Sequence, residues 1–126
     1  MLEPLSGYLT LAEKLYISGD EYAEGWNFGP NAEDVVSVGE VLDYLVEKWR
    51  EPVSWALSKD EQPHEAQLLK LDTSKATKRL KWKPIWNLGK TLSTIIEWDT
   101  EFIEGANMAE ITLKQIKEYQ EIMVRL

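Results

Sequence analysis

The chain contains no cysteine and a single histidine, His64, among its 126 residues. Without cysteine, disulfides, thiolate nucleophiles and thiolate zinc sites are all excluded. One histidine excludes a metal site built on several imidazoles, and it makes a Ser-His-Asp triad a poor interpretation. The lack of disulfide chemistry suits a cytoplasmic protein, which is the location that we predict.

Glycine-rich phosphate loops are missing as well. Gly25 and Gly29 are the closest pair of glycines, and neither opens a G-x-G-x-x-G turn that would cradle a dinucleotide. A Walker-type loop is also absent. The sequence therefore predicts no cofactor site and no metal site within this chain.

Basic charge is scarce, and long apolar runs are missing. The 14 basic residues are outnumbered by 22 acidic ones, which gives a net charge of -8. Such a surface repels a polyphosphate backbone, so we predict no nucleic-acid partner. No run approaches the ~18 apolar residues needed to span a bilayer. Glu3 interrupts the first apolar residues, and the basic start of a signal peptide is lacking, so no membrane contact is predicted.

What is present suits one packed domain over residues 1–126. The hydrophobic fraction is 44%, which is enough for a core at this length. The order of the predicted elements is α-β-α-β-loop-β-α-α-α, an α/β class in which helices dominate and strands are few and short. Helices are predicted over 3–18, 37–49, 72–80, 87–104 and 113–123, and strands over 26–28, 53–57 and 67–71.

The first predicted helix is amphipathic. Apolar residues recur at spacings of three and four, as on one face of a helix, at Leu5, Tyr8, Leu9, Ala12, Leu15 and Tyr16. The later helices show similar stripes, and Ser37 followed by Glu40 forms the pattern of a capping box. On the helix that starts after Asn87, the inward residues are predicted to be Leu88, Leu92, Ile95, Ile96, Phe102 and Ile103.

Candidate chemistry is sparse. Tyr44 and Lys48 have the four-residue spacing used in short-chain dehydrogenases, but they lie away from the apolar stripe, and we interpret them as a solvated pair. In the loop "EQPHEAQ", His64 and Glu65 have the chemistry to bind sugar hydroxyls or a phosphate. A solvated loop with an incidental histidine fits the residues equally well. Trp49 and Trp82 are predicted to pack in the core, whereas Trp55, Trp86 and Trp98 fit either packing or carbohydrate stacking.

Five stretches, taken in order, carry a resemblance that covers essentially the whole chain. They are "LEPLSGYLTLAEKLY", "EGWNFGP", "VSVGEVLDYLVEKW", "QPHEAQLLKLDTSKATKRLKWKP" and "GANMAEITLKQIKEYQ". Together they resemble the C-terminal part of CDP-glucose 4,6-dehydratases, NAD-dependent lyases of the extended short-chain dehydrogenase/reductase family. The resemblance implies a substrate-binding subdomain of an extended Rossmann-fold enzyme.

The resemblance also implies a binding site for the nucleotide sugar, over Gln62, Pro63, His64 and Glu65. Glu65 matches an acid that faces the ribose hydroxyls, and its two acceptor oxygens suit a vicinal diol. Gln62 stands where relatives have Arg or His near the diphosphate, and an amide supplies no positive charge. The stretch from Leu71 to Pro84 then serves as the scaffold that holds the loop rigid, and Glu3 is expected to cap the first helix.

In such enzymes NAD takes a hydride from C4 of the sugar, water leaves across C5 and C6, and the hydride returns to C6. The residues for these steps precede the point at which this chain begins in the family. We therefore expect a CDP-glucose-binding portion that is inactive alone, from a truncated or split coding sequence. The alternative is a non-catalytic interaction module, which forms a homo-oligomer or pairs with a separately encoded NAD-binding half.

Overall fold

The structure, a computed structural model, describes residues 2–58 and 71–125, and most of these residues are helical. Four α-helices provide the framework: α1 Leu2–Ser18, α2 Val38–Lys48, α3 Leu88–Ile103 and α4 Met108–Val124. Short 3₁₀-helices cover Gly19–Tyr22 and Ala32–Asp34, and a π-helix covers Ala76–Leu80. The predicted dominance of helices is confirmed for this part of the chain.

The helix boundaries follow the capping residues. Gly19 ends α1 with a φ of 56°, a left-handed conformation that glycine adopts without strain. The Ser37 hydroxyl and the Glu40 carboxylate form the predicted capping box at the start of α2. The Asn87 side chain accepts a hydrogen bond from the Lys90 backbone N–H at the start of α3, also as predicted.

Helix α4 begins five residues earlier than the sequence predicted. The Asn107 side chain accepts a hydrogen bond from the backbone N–H of Ala109, and its amide donates to Glu110. Asn107 is therefore an N-cap, and α4 starts at Met108 rather than near Leu113. The turn before it is made by Gly105, whose φ is 78°.

Strand formation was predicted wrongly for the described residues. Segments 26–28 and 53–57 carry no regular secondary structure, and Leu71, the described end of the third predicted strand, carries none either. A strand exists only where a neighbouring backbone completes its hydrogen-bond ladder. Asn27 and Gly29 do lie beside residues 71–73, but the contacts run through side chains and not through a ladder.

The core is centred on the π-helix and its exit. Ala76, Leu80 and Trp82 are buried, and partly buried hydrophobic residues pack against them: Leu11, Tyr22, Trp26 and Phe28. Trp86, Leu92, Ile96 and Tyr119 are also buried, and the rings of Trp86 and Tyr119 pack edge to face with their centres 5.2 Å apart. The prediction that Ile95, Phe102 and Ile103 point inward is wrong, because all three are exposed.

Helix α1 packs through the face opposite to its apolar stripe. Ser6 and Gly7 are its buried residues, and Gly7 lies directly against the ring of Phe28. The stripe is exposed, with Leu9 73% and Tyr16 93% accessible; its exposed residues are called the outer stripe below, and they are Leu5, Tyr8, Leu9, Ala12 and Tyr16. At the edge of the outer stripe the Tyr8 ring contacts the Phe28 ring, with the two ring centres 5.5 Å apart.

Candidate functional site

The predicted binding loop lies outside the described residues. Gln62, Pro63, His64 and Glu65 all belong to it, so their role as ligands of a nucleotide sugar stays a prediction. The structure does describe the segment that follows the loop, from Leu71 onward. That segment decides how one end of the loop is held.

The residues that follow the loop, 71–74, are held by hydrogen bonds and by close contacts with Asn27 and Gly29. Asp72 accepts a hydrogen bond from the Ser74 backbone N–H at 2.9 Å, which starts the helical turn. The Asn27 amide donates to the Asp72 carbonyl at 3.3 Å. Gly29 approaches the side chains of Leu71 and Thr73 so closely that an added Cβ would just touch them, at 3.5 Å. The "WNFG" stretch therefore supports the loop's exit, a role for Asn27 that the sequence did not reveal.

A cluster of cations and aromatic rings follows directly. The Lys75 ammonium lies 4.6 Å from the centre of the Trp26 ring, and the Arg79 guanidinium lies over the rings of Trp26 and Tyr22. Both cations also form ion pairs with Glu24. The hydrogen bond from Lys75 lowers the pKa of Glu24, and Arg79 adds to the effect. Glu24 carries one negative charge against these two positive charges, so the cluster of Glu24, Lys75 and Arg79 keeps a net positive charge.

Glu3 has a different role from the helix cap that was expected. Its carboxylate accepts hydrogen bonds from the backbone N–H groups of Ile85 and Trp86, the closest at 2.7 Å. It also accepts the Tyr119 hydroxyl at 2.9 Å. One carboxylate thus joins the start of α1, the segment before α3, and the middle of α4. Charge-assisted bonds of this kind are stronger than bonds between neutral groups.

The same network continues to Ser6. The Trp82 indole N–H donates to the Ser6 oxygen at 2.9 Å, and the Tyr119 hydroxyl lies 3.0 Å from that oxygen. Burial raises the pKa of Tyr119 well above its usual range, and the neighbouring Glu3 carboxylate raises it further. Tyr119 is therefore a protonated donor at neutral pH and not a base. No spacing in the sequence indicates this network, because its members are up to 116 positions apart.

An apolar cavity of about 280 Å³ lies next to Glu3. Its walls are rigid, because they include three prolines and two aromatic rings: Pro4, Pro30, Pro84, Phe28 and Trp86. The Asp34 side chain accepts a hydrogen bond from the Leu88 backbone N–H at 2.8 Å through one oxygen. The other Asp34 oxygen and the Trp86 indole N–H are buried without a hydrogen-bond partner. Both carboxylates at this cavity are thus used to bind backbone N–H groups, and they do not form an acid-base pair.

The remaining candidates have structural contacts. The Tyr44 hydroxyl donates to the Gly89 carbonyl at 3.1 Å and ties α2 to α3, whereas Lys48 pairs with Glu47 on the surface. The interpretation of Tyr44 and Lys48 as a solvated pair is thus wrong for Tyr44, because it is half-buried against α3. Trp82 and Trp86 are buried, and Trp49 is half-buried. Trp55 and Trp98 are more exposed, with their indole N–H groups bonded to Asp43 and Thr112.

Within residues 2–58 and 71–125, no group of three His, Asp or Glu side chains is arranged to hold a metal ion. None of the helices in the same ranges combines the length and the apolar content that a membrane span requires.

No protein-family model matches the chain. The chain is similar to the CDP-glucose 4,6-dehydratase of Salmonella typhimurium (strain LT2), with 42% identity over 125 residues. The match includes 99% of this chain and 35% of that protein, so the chain spans about a third of the length of the curated relative that it matches. The predicted resemblance to CDP-glucose 4,6-dehydratases is confirmed by this similarity.

Proposed function

We propose that the chain is the CDP-sugar-binding portion of a CDP-glucose 4,6-dehydratase-like protein and that it is inactive alone. The observation that carries the proposal is the 42% identity to the Salmonella typhimurium dehydratase, which extends over 99% of this chain. The chain then corresponds to the C-terminal, substrate-binding part of such an enzyme. A Rossmann-type half that binds NAD lies beside it in the complete protein.

The loop from Gln62 to Glu65 is the part that contacts the nucleotide. Glu65 offers two acceptor oxygens to the ribose diol. His64, next to Pro63, hydrogen-bonds a hydroxyl or a phosphate of the ligand. Gln62 replaces a cation with a neutral amide, so the diphosphate is bound without a charge at this position. The anchored exit of the loop, at Asn27 and Asp72, supports this role, since a binding loop has to be held in one geometry.

The proposed inactivity follows from how the reactive side chains are used. Dehydration of the sugar needs a hydride acceptor and a positioned acid-base pair. The sequence has no dinucleotide-binding glycine turn. The Tyr44 hydroxyl is bonded to the Gly89 carbonyl, and Tyr119 is held protonated by burial. The hydride and proton steps therefore belong to the NAD-binding half.

Titration calorimetry with CDP-glucose and with CDP tests the binding claim. We expect binding in the millimolar range or tighter, weakened at least about tenfold in Glu65→Ala, since a charge-assisted hydrogen bond is worth about 1.5–3 kcal/mol. Glu61→Ala is the matched control, because it removes the same side chain four residues earlier in the same loop. No heat at millimolar ligand, or equal losses in the two variants, would contradict the proposal.

An enzyme assay tests the claim of inactivity. The chain is incubated with CDP-glucose and NAD, and the formation of the 4-keto-6-deoxy sugar nucleotide is followed. We expect no product above a protein-free control. Turnover by the isolated chain would place the catalytic groups here and overturn this part of the proposal.

A second candidate function is a non-catalytic interaction module. The observation that favours it is the exposed apolar stripe of α1, with Leu9 and Tyr16 the most accessible. A stripe of this kind is normally covered by another protein surface. Either a second copy of the chain or a separately encoded NAD-binding half would cover it. Size-exclusion chromatography with light scattering tests the first case, because a clean monomer at high concentration contradicts self-association.

A further inference from the structure

Basic residues are concentrated in one part of the chain. Acidic residues outnumber basic ones by 22 to 14 overall, but residues 73–96 contain six basic residues and no acidic residue. Charge segregation of this kind creates a local positive potential on a chain that is otherwise negative. The six basic residues are Lys75, Lys78, Arg79, Lys81, Lys83 and Lys90.

Half of these basic residues are already paired with glutamates of the fold. The other half are exposed, and within residues 2–58 and 71–125 they form no ion pair. A cation without a paired acid keeps its charge available for a ligand. The three residues concerned are Lys78, Lys81 and Lys83.

Two of these lysines, Lys81 and Lys83, line a cleft of about 260 Å³, called the lysine cleft below. Its walls come from α1, the 80–85 segment and α4, and none of the described residues that line it is acidic. Its volume is close to the lower limit of roughly 300 Å³ for small-molecule pockets. The other residues that line it are Ser6, Thr10, Leu80, Trp82, Ile85 and Met123.

The two lysines are the donors that the lysine cleft offers to a ligand. The Ser6 hydroxyl donates to a backbone carbonyl at 2.7 Å, and the Thr10 hydroxyl donates to the Ser6 carbonyl at 2.9 Å. The Trp82 indole N–H is used in its bond to the Ser6 oxygen. An anion in the lysine cleft therefore has to be bound by Lys81 and Lys83.

Lys81 has a backbone conformation that lysine seldom adopts. Its φ is 57° and its ψ is 20°, in the left-handed region, where it ends the π-helix Ala76–Leu80. Glycine would end the helix there without this strain. Strained residues cluster at functional sites, so a lysine at this position indicates a use for its ammonium group.

Two larger cavities of the described residues differ from the lysine cleft in charge. The cavity next to Glu3 is lined by Glu3 and Asp34 and by no lysine or arginine, so it would repel an anion. A groove of about 650 Å³ along α3 and α4 is lined by three lysines and four glutamates. Two of those lysines, Lys90 and Lys114, are paired with glutamates of the same groove.

We propose that the lysine cleft binds a phosphate monoester whose phosphate is joined to a small apolar group. A phosphate monoester carries a charge of about -1.5 to -2 at neutral pH, which two ammonium groups match. The apolar walls around Leu80, Ile85 and Met123 suit an aromatic or aliphatic group. The proposal concerns residues outside the loop 62–65 and does not rest on the proposed function.

Titration calorimetry with phenyl phosphate tests the proposal. We expect binding in the millimolar range that weakens as the salt concentration rises, because both lysines are exposed. Inorganic phosphate, benzoate and phenol are the comparison ligands. Each should bind more weakly than phenyl phosphate, since the first lacks the apolar group, the second has a single charge and the third has none. Phenol or inorganic phosphate binding as tightly as phenyl phosphate would overturn the proposal.

Lys81→Gly separates a binding role from a structural one. The variant loses the ammonium group and also the left-handed strain, so its melting temperature should rise while its affinity for phenyl phosphate falls at least about threefold. Lys83→Gln should weaken binding by a similar factor. Lys78→Gln is the matched control, because it removes the same charge from an exposed lysine that does not line the lysine cleft, and it should keep its affinity for phenyl phosphate.

Two outcomes of the variant series would contradict the proposal. Equal losses of affinity in Lys81→Gly, Lys83→Gln and Lys78→Gln would show that the phosphate responds to the general positive potential and not to the lysine cleft. A more stable Lys81→Gly with unchanged affinity would show that Lys81 only ends the π-helix. Where Lys81→Gly does not fold, Lys83→Gln compared with Lys78→Gln decides, since neither of these residues has a left-handed backbone.

Discussion

The two faces of α1 are opposite in character to those of an ordinary surface helix. The inner face holds Glu3, Ser6 and Gly7, small or polar residues that are packed and hydrogen-bonded. The outer face holds the large apolar side chains, such as Leu9 and Tyr16, and these are exposed. A surface helix normally buries its apolar stripe and hydrates its polar side.

The difference shows which interactions hold this chain together by itself. The outer stripe contributes less, because Leu9 and Tyr16 stay largely in water and gain little transfer free energy. The inner face contributes through close packing and through a buried hydrogen-bond network. Polar networks of this kind fix one arrangement of the elements, and they are sensitive to the loss of any member. Substitutions on the two faces should therefore have unequal effects on the isolated chain.

The largest effect is expected for Glu3→Ala. This change leaves the backbone N–H groups of Ile85 and Trp86 without their acceptor and deprives Tyr119 of its charged partner. We expect a loss of about 2–4 kcal/mol in the free energy of unfolding, since each buried donor left unsatisfied costs about 1–3 kcal/mol. Urea denaturation measures it. Glu13→Ala, an exposed glutamate on the same helix, is the control, and equal losses in the two variants would show that the network does not stabilise the fold.

Gly7 tests the packing of the inner face. A Cβ at this position would lie 2.3 Å from the nearest atom of the Phe28 ring, well inside contact distance. We expect Gly7→Ala to cost about 1–3 kcal/mol through overpacking, although alanine favours a helix by about 1 kcal/mol.

Gly39→Ala, on α2, is expected to stabilise the chain, whereas Gly7→Ala is expected to destabilise it. The added Cβ meets Trp55 at 3.6 Å, an ordinary contact, so the gain in helix propensity should stabilise the chain by up to about 1 kcal/mol. The two changes are compared by thermal denaturation. A stabilising Gly7→Ala would mean that α1 does not approach Phe28 so closely.

Local patterns in the sequence predict the helices well. Ser37 and Asn87 cap α2 and α3 as the sequence indicates, because a cap depends on residues only three positions apart. The prediction that α4 starts near Leu113 was an error of the same local kind, since Asn107 followed by Glu110 was a readable signal for a start at Met108. The prediction of strands failed because a strand depends on a neighbouring strand, whose position no local pattern reveals.

The candidate site is less predictable than the helices. The resemblance of the sequence to dehydratases placed the ligands in the loop 62–65, beyond the described residues. The residues that brace the 82–86 segment, Glu3, Ser6 and Tyr119, come from opposite ends of the chain. A hydrogen bond across 116 positions leaves no periodicity in the sequence. Only the assembled fold shows that Glu3 is a partly buried acceptor and not a helix cap.

Tyr119→Phe removes one hydroxyl from the same network. We expect a loss of about 1 kcal/mol at neutral pH, the usual contribution of one hydrogen bond. The pKa of Tyr119 is raised by burial in the folded chain, whereas the unfolded value is about 10. The protonated hydroxyl therefore contributes its full stability below about pH 10 and loses it as the pH rises further.

The pH dependence separates Tyr119 from a tyrosine on the outer stripe. The free energy of unfolding is measured by urea denaturation between neutral pH and pH 11. The unmodified chain should lose stability more steeply above about pH 10 than Tyr119→Phe does. Tyr16→Phe, which changes an exposed tyrosine, should behave like the unmodified chain. An identical alkaline slope in all three proteins would show that the Tyr119 hydroxyl is hydrated.

The smallest change in the free energy of unfolding is expected for a substitution on the outer stripe itself. Leu9 and Leu11 allow the two faces of α1 to be compared directly. Leu9 is exposed, whereas Leu11, two residues further along α1, packs partly buried against the core around Trp82. Leu9→Gln should change the free energy of unfolding by less than about 0.5 kcal/mol, as is usual for surface positions. Leu11→Gln should cost about 1–3 kcal/mol, because it loses apolar burial and brings an amide toward the core. Both costs are measured by urea denaturation, and equal costs would mean that Leu9 is buried in the isolated chain, contrary to its 73% exposure in the structure.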